Sequence, residues 1–214
     1  MPCIFSAQRF SFCPVYDLCM NEIAGFVLAG GQSSRMGIDK ASIEWQGRTL
    51  LQHSIDLLCA VASRVAIVGS TDKFSRFGTV VEDQFLRRGP LAGIHAALRS
   101  PIAADLNLII AVDMPFLSQA FLSFLLEQAA ASHAVATAPR TSEGWQPLCA
   151  VYRREFADLA DTSLRLGRNK IDPLFGEIDL RVLQENELHN FGFSSDIFRN
   201  LNTPEDLKYA GGTA

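Results

Sequence analysis

From Ile23 onward the chain alternates short apolar runs with amphipathic stretches. Ile23–Leu28 is a compact apolar run closed by Ala29-Gly30-Gly31, the pattern of a buried strand leading into a glycine-rich loop. Leu50–Ala62 places Leu51, Ile55, Leu58 and Ala62 on one helical face. Arg64–Val68 predicts a strand ended by Gly69-Ser70, and Thr79–Val81 a further short strand before Glu82-Asp83. Leu91–Arg99 reads as a short helix stopped at Ser100-Pro101, because a residue before proline is pushed out of the helical region. Leu106–Val112 is the most apolar run and breaks at Asp113-Met114-Pro115, as a central parallel strand does when it delivers one carboxylate to the carboxyl edge of a sheet. Ser118 offers an N-cap for a helix over Gln119–Ala130. His133–Ala138 and Gln146–Tyr152 read as strands, with a polar loop or hairpin end at Pro139–Trp145 between them. Arg154–Leu166 is an amphipathic helix, Ile171–Phe191 is less periodic, and Thr203 caps a final helix over Pro204–Ala210 with proline at its first position.

Strands alternating with helices predict a three-layer α/β domain with a mainly parallel, Rossmann-like sheet, in which ligands sit outside the carboxyl ends of the strands. The loops after Leu28, Val81 and Val112 should therefore converge on one crevice. Composition agrees: 48% hydrophobic and 20% charged residues over 214 positions is a globular balance, sufficient for one sizeable core. A net charge of −4 provides no general field for a polyanion, which argues against nucleic-acid binding and confines phosphate chemistry to a local cluster of donors. No run reaches the ~18 apolar residues of a membrane helix, so the expectation is a soluble protein with no membrane partner.

The five cysteines are odd in number and lack CxxC spacing, which speaks against a zinc site or a secreted disulfide scaffold and for a reducing, cytoplasmic compartment. Met1–Cys19 has no period, and Gln8, Arg9 and Asp17 interrupt any secretory signal. Met20 begins what reads as a natural start. Residues 1–19 are accordingly expected to be an irregular extension or a start-site artefact, with 20–214 as the domain; a real arm packed on the surface is the alternative.

The chemistry is concentrated in Leu28-Ala29-Gly30-Gly31-Gln32-Ser33-Ser34-Arg35-Met36-Gly37-Ile38-Asp39-Lys40. Gly30 and Gly31 allow a tight turn and close approach of a ligand. Successive amides in such a loop form an anion nest suited to a polyphosphate. Arg35 adds a forked pair of donors and Lys40 a compact charge. A Walker A loop would need Gly-Lys-Ser/Thr in direct succession, and the dinucleotide fingerprint G-x-G-x-x-G is also missing.

The string L-A-G-G-x-S-x-R-M-G-x-D-K resembles the nucleotidyltransferase loop of the molybdenum cofactor guanylyltransferase family. Val81-Glu82-Asp83, Gly89-Pro90-Leu91-Ala92-Gly93-Ile94, Val112-Asp113-Met114-Pro115, Gln146-Pro147-Leu148 and Asn200-Leu201-Asn202-Thr203-Pro204-Glu205-Asp206-Leu207 follow in the family's order. The related cytidylyltransferases carry Ala-Ala-Gly where this chain has Ala29-Gly30-Gly31. The resemblance implies a nucleotidyltransferase fold and transfer of GMP from GTP onto the terminal phosphate of the molybdenum-bearing pterin cofactor, releasing pyrophosphate. It implies GTP contacts at Leu28, Ala29, Gly30, Gly31, Lys40, Asp83 and Asp113, with Asp113 also holding Mg²⁺. Arg35, Lys40 and Asp113 carry the catalysis, and Asn200 and Asn202 face the pterin phosphate. Proteins that deliver the cofactor and apo-molybdoenzymes are the implied transient partners. Where family members place an Asn after the second strand, this chain has Val68, so that contact is lost, made by backbone, or taken over by Ser70.

Charge repulsion between a phosphate monoester and an anionic α-phosphate requires catalysis by positioning and neutralisation, with no covalent nucleophile. Guanine presents N1–H and N2–H₂ donors that a carboxylate such as Asp83, or backbone carbonyls, can answer. Plainer readings stand beside these. Asp113 and Asp83 could cap helices, Lys40 could be a solvated loop charge, Gly89–Gly93 could be only a turn into a helix as readily as a guanine contact, and Trp145 reads as packing, with leaning on a pterin ring the lesser alternative. The rival functions are a cytidylyl- or sugar-phosphate nucleotidyltransferase and a non-catalytic nucleotide-binding regulator.

Overall fold

Strand β1, Ile23–Leu28, crosses the middle of the sheet with five of its six residues buried, as an unbroken apolar run does in a strand covered on both faces. The computed structural model describes residues 22–30 and 40–201. The expected extension at Met1–Cys19 and the expected helix at Pro204–Ala210 lie outside them.

After the loop come β2 (Glu44–Trp45) and β3 (Arg48–Thr49), a small antiparallel pair. Gln46 and Gly47, both at positive φ, make its turn, as a two-residue hairpin loop requires. Helix α1 (Leu50–Cys59) starts where the Thr49 hydroxyl accepts the Gln52 amide. The chain continues through β4 (Arg64–Val68), α2 (Thr71–Phe74), β5 (Val80–Val81), α3 (Pro90–Arg99) and β6 (Leu106–Ala111). Then follow α4 (Gln119–Ser132), β7 (Ala136–Thr141), β8 (Gly144–Trp145), β9 (Cys149–Tyr152), α5 (Phe156–Arg165), β10 (Leu180–Gln184) and α6 (Glu185–Asn190). Ser118 caps α4 as expected, its hydroxyl accepting the Phe121 amide.

The main sheet has the order β10-β7-β9-β6-β1-β4-β5. β1 pairs in parallel with β4 and β6, β4 with β5, and β7 with β10. β9 alone runs antiparallel between β6 and β7, and β8 folds back on β7. The sheet is thus mixed but mostly parallel, between two helical layers. Alternation along β1 sends Val27 into the layer with Leu50, Leu58 and Phe121, and Phe26 and Leu28 into the layer with Leu91, Ile94 and Phe156. α1 lies close to β1: a Cβ on Gly25 would stand 3.1 Å from Leu58 Cβ. Buried Asn107 ties the segment before β6 to β9. Its Oδ1 accepts the Ala104 amide, and its Nδ2 donates to the carbonyls of Ala104 and Tyr152.

Several boundaries differ from the sequence reading, among them the strand expected over Gln146–Tyr152, which begins only at Cys149 after a turn whose Cys149 amide donates to the Gln146 carbonyl. His133 does not begin a strand: it takes left-handed φ (54°) and ends α4, and β7 starts at Ala136. β7 also runs on through Pro139 to Thr141 and turns back into β8, so of the loop or hairpin end expected over Pro139–Trp145 the structure has the hairpin end. β9 pairs only with Ala136 and Thr137 of β7, so the missing N–H of Pro139 falls outside that ladder. The weakly periodic stretch Ile171–Phe191 contains β10 and α6.

Among the described residues, no helix is long and apolar enough to cross a membrane. The cysteines among them, Cys59 and Cys149, are free thiols.

Candidate functional site

Parallel strands β6, β1, β4 and β5 end at one edge, and their following loops meet around a cavity of about 770 Å³. The convergence expected of the loops after Leu28, Val81 and Val112 is what the fold produces. Leu28, Ala29, Gly30, Lys40, Asp83 and Asp113 all line this cavity.

Backbone stitching sets the cavity floor. The Val112 amide donates to the Leu28 carbonyl, tying the exit of β6 to the end of β1. The Ala29 and Gly30 amides both donate to the Val68 carbonyl at 3.0 Å. These two amides therefore tie Ala29 and Gly30 to the end of β4 and do not form the start of an open anion nest. The rest of that loop, with Gly31 and Arg35, lies outside the described residues. Val68 thus acts through its carbonyl, and Ser70 lines the cavity beside it. Gly69 is sterically required, since a Cβ there would stand 2.8 Å from the Phe74 ring.

At the β6 end, Lys40 Nζ lies 2.6 Å from Asp113 Oδ2, with the two side chains 26% and 17% exposed. The Asp113 carbonyl accepts the Leu201 amide at 2.9 Å, which draws the chain at Asn200 to the same turn. Asn200 is exposed and is not among the residues lining the cavity; Asn202 lies outside the described residues. Among the described residues no group of three or more His, Cys, Asp or Glu could hold a metal ion.

At the other end stands Asp83. Its Oδ1 accepts the Phe85 amide at 2.7 Å. Burial pushes its carboxyl above the usual range, against that hydrogen bond and the nearby His95. From β6 to β5 are three inter-strand steps of about 4.8 Å, so the Asp113 and Asp83 ends are separated by about 14 Å. Glu82 next to it is tied to the α2 start by accepting the Thr71 amide.

The glycine block both turns and packs. Gly89 has φ +73° ahead of α3, and a Cβ on Gly93 would stand 3.2 Å from Leu28 Cδ2; α3 therefore sits tight against β1, with both glycines on the cavity wall. Deeper in α3, His95 is buried, edge-on to Phe85 with ring centroids 5.2 Å apart, and its Nε2 is 3.6 Å from Asp161 Oδ1. Trp145 is a packing residue, edge-on to Phe175 and under the Arg140 guanidinium. Sequence reasoning did not single out Leu86 and Arg87, which line the cavity from the β5–α3 connection; their position after Val81 was the available signal.

The sequence pattern of the MobA-like NTP transferase domain matches residues 25–181. A molybdenum cofactor guanylyltransferase of Desulfosudis oleivorans is 33% identical over 194 residues, covering 89% of this chain and 95% of that protein. A probable molybdenum cofactor guanylyltransferase of Pyrococcus horikoshii is 37% identical over 192 residues, covering 87% and 97%. The crystal structure of molybdopterin-guanine dinucleotide biosynthesis protein A from Archaeoglobus fulgidus superposes with a TM-score of 0.76 at 27% identity, covering 87% and 96%. With its three-layer nucleotidyltransferase fold and its matching motifs, the chain belongs to the MobA-like NTP transferase family.

Proposed function

We propose that the protein transfers GMP from GTP to the terminal phosphate of the molybdenum-bearing pterin cofactor, forming the guanine dinucleotide and releasing pyrophosphate. The observation that carries this reading is the placement of Lys40 and Asp113 at one end of a cavity whose other end holds Asp83. It is supported by relatives named as molybdenum cofactor guanylyltransferases over most of their length.

In this reading the triphosphate lies at the Lys40 end and the base at the Asp83 end. Lys40, with Arg35 from the adjoining loop, neutralises the phosphates and the departing pyrophosphate, so that two anions can meet in line. Gly30, lacking a side chain, leaves the cavity wall open to the nucleotide at the end of β1. Asp83, as a carboxylate, accepts from the guanine N1–H and N2–H₂ edge. Asn200 and Asn202 are the residues proposed to meet the pterin phosphate.

The donor set suits magnesium. Glu82 and Asp83 already accept backbone amides, whereas Asp113 pairs with a side-chain cation at the rim. Mg²⁺ takes one or two carboxylates and completes its shell with phosphate oxygens and water. Asp113 would hold it, and the ion would supply charge neutralisation at the phosphates. A reducing, cytoplasmic setting with transient contact to cofactor-delivering proteins and apo-molybdoenzymes belongs to the same reading.

The test is turnover of each radiolabelled NTP with purified molybdenum-bearing pterin, read as dinucleotide formation and pyrophosphate release. GTP is expected to be used in strong preference. A preference for CTP, or product formation only with a sugar phosphate, overturns the reading.

A further inference from the structure

Resting on the guanylyl reading, we propose that Arg87 is a base-reading residue whose guanidinium takes the O6 and N7 acceptors of guanine. Three observations converge on it. Arg87 lines the cavity from the same connection as Asp83, four residues on. Its backbone is held at φ +62°, a left-handed conformation that disfavours a side chain and that glycine would adopt freely; residues in such sparsely populated conformations cluster at ligand sites. Among the described residues it forms no ion pair or hydrogen bond, although the cavity-lining carboxylates Glu82 and Asp83 lie on its own segment. The neighbouring Arg88 is sent elsewhere: its guanidinium lies 3.7 Å from where a Cβ of Gly167 would be.

Position separates the base from the phosphates. Lys40 marks the β6 end, and the β5–α3 connection lies about three strand spacings, or about 14 Å, away. A guanidinium there meets the base. Guanine is the NTP base with two adjacent acceptors, O6 and N7, which match the fork of an arginine. Asp83 answers the donors on the opposite side of the same ring. Together they accept a purine that offers donors on one edge and acceptors on the next, and they reject adenine, whose 6-amino group would point a donor at the guanidinium. The Phe85 ring against His95 and the Phe85 amide on Asp83 anchor the start of the segment, and Arg87 follows two residues on at the exposed rim of the cavity.

Equilibrium binding of GTP, 7-deaza-GTP, ATP and CTP to the full chain, wild type against Arg87→Gly and Arg87→Lys, tests this. Wild type should bind GTP roughly fivefold or more tighter than 7-deaza-GTP, which lacks the N7 acceptor. In Arg87→Gly that difference should vanish and discrimination against ATP should shrink. Arg87→Lys, which keeps the charge but loses the fork, should not restore the N7 dependence. Glycine fits the left-handed backbone, so Arg87→Gly should melt no lower than wild type. Equal weakening of all four nucleotides would make Arg87 a phosphate contact and overturn the proposal, as would an unchanged preference for GTP over 7-deaza-GTP. Wild type binding CTP in preference to GTP is a separate result and counts against the guanylyl reading itself.

Discussion

Lys40 Nζ and Asp113 Oδ2 are held 2.6 Å apart across two different loops, one following β1 and the other following β6. The two residues are 73 positions apart in the chain, and only the parallel pairing of β1 with β6 brings them together. A cation and an anion kept adjacent at a partly open rim are ready to be shared out. The ammonium can turn to phosphate oxygens while the carboxylate takes a divalent ion.

Asp113→Asn should therefore leave a folded protein, since a partly exposed ion pair contributes ~1 kcal/mol or less. Nucleotidyl transfer should fall at least ~10²-fold, the scale of losing one preorganised electrostatic partner. Thermal melting together with pyrophosphate release checks both halves. Turnover at wild-type rate would remove Asp113 from the mechanism.

Asn107 is fully buried, and its side chain satisfies two backbone groups of Ala104 and one of Tyr152. Asn107→Leu keeps the volume but strands all three in an apolar layer. Unmet buried groups cost about 1–3 kcal/mol each, so a loss of about 3 kcal/mol or more is expected in denaturant unfolding. A loss below 1 kcal/mol would mean that the segment before β6 has other support.

Gly25→Ala should destabilise by about 1–3 kcal/mol through overpacking. The clash is with Leu58 Cβ and both its δ carbons at 3.1–3.2 Å. Leu58 Cβ is fixed to the helix backbone, so α1 itself has to shift. Chemical denaturation gives the number, and a neutral result would show that α1 floats on the sheet.

Burial of His95 lowers its affinity for a proton, reinforced by Arg99 and Arg165 and opposed by Asp161 and Asp83. An unfolded chain takes up that proton near pH 6.5, and the folded chain only at lower pH. Between the two values the unfolded state binds more protons, so this contribution is complete above 6.5 and is lost as pH falls towards the folded value. The denaturation midpoint should drop between about pH 7 and pH 5, and His95→Gln should flatten that drop. An equally steep drop in the variant would assign the effect elsewhere, for instance to His53, which burial shifts in the same direction.

The central strands were legible because burial on both faces leaves an unbroken apolar run, as in Ile23–Leu28 and Leu106–Ala111. β10 was not, because it lies at the sheet edge, where Arg181 is useful: it bonds Glu187 and Gln128. In the site, Lys40, Asp83 and Asp113 could be found from their letters and their places after strands. The part played by Val68 could not, since it acts through a backbone carbonyl that every residue possesses. Arg87 was hidden for a different reason, because an exposed turn arginine that lines a cavity looks in sequence like any solvated charge.

The bond between the Leu201 amide and the Asp113 carbonyl means that the turn presenting the carboxylate is finished by a residue near the far end of the chain. During synthesis the strands can find one another while that turn still lacks its clasp. Any product cut short before position 201 would carry the sheet without that clasp, so the Asp113 turn depends on a stretch of chain made after every strand described above.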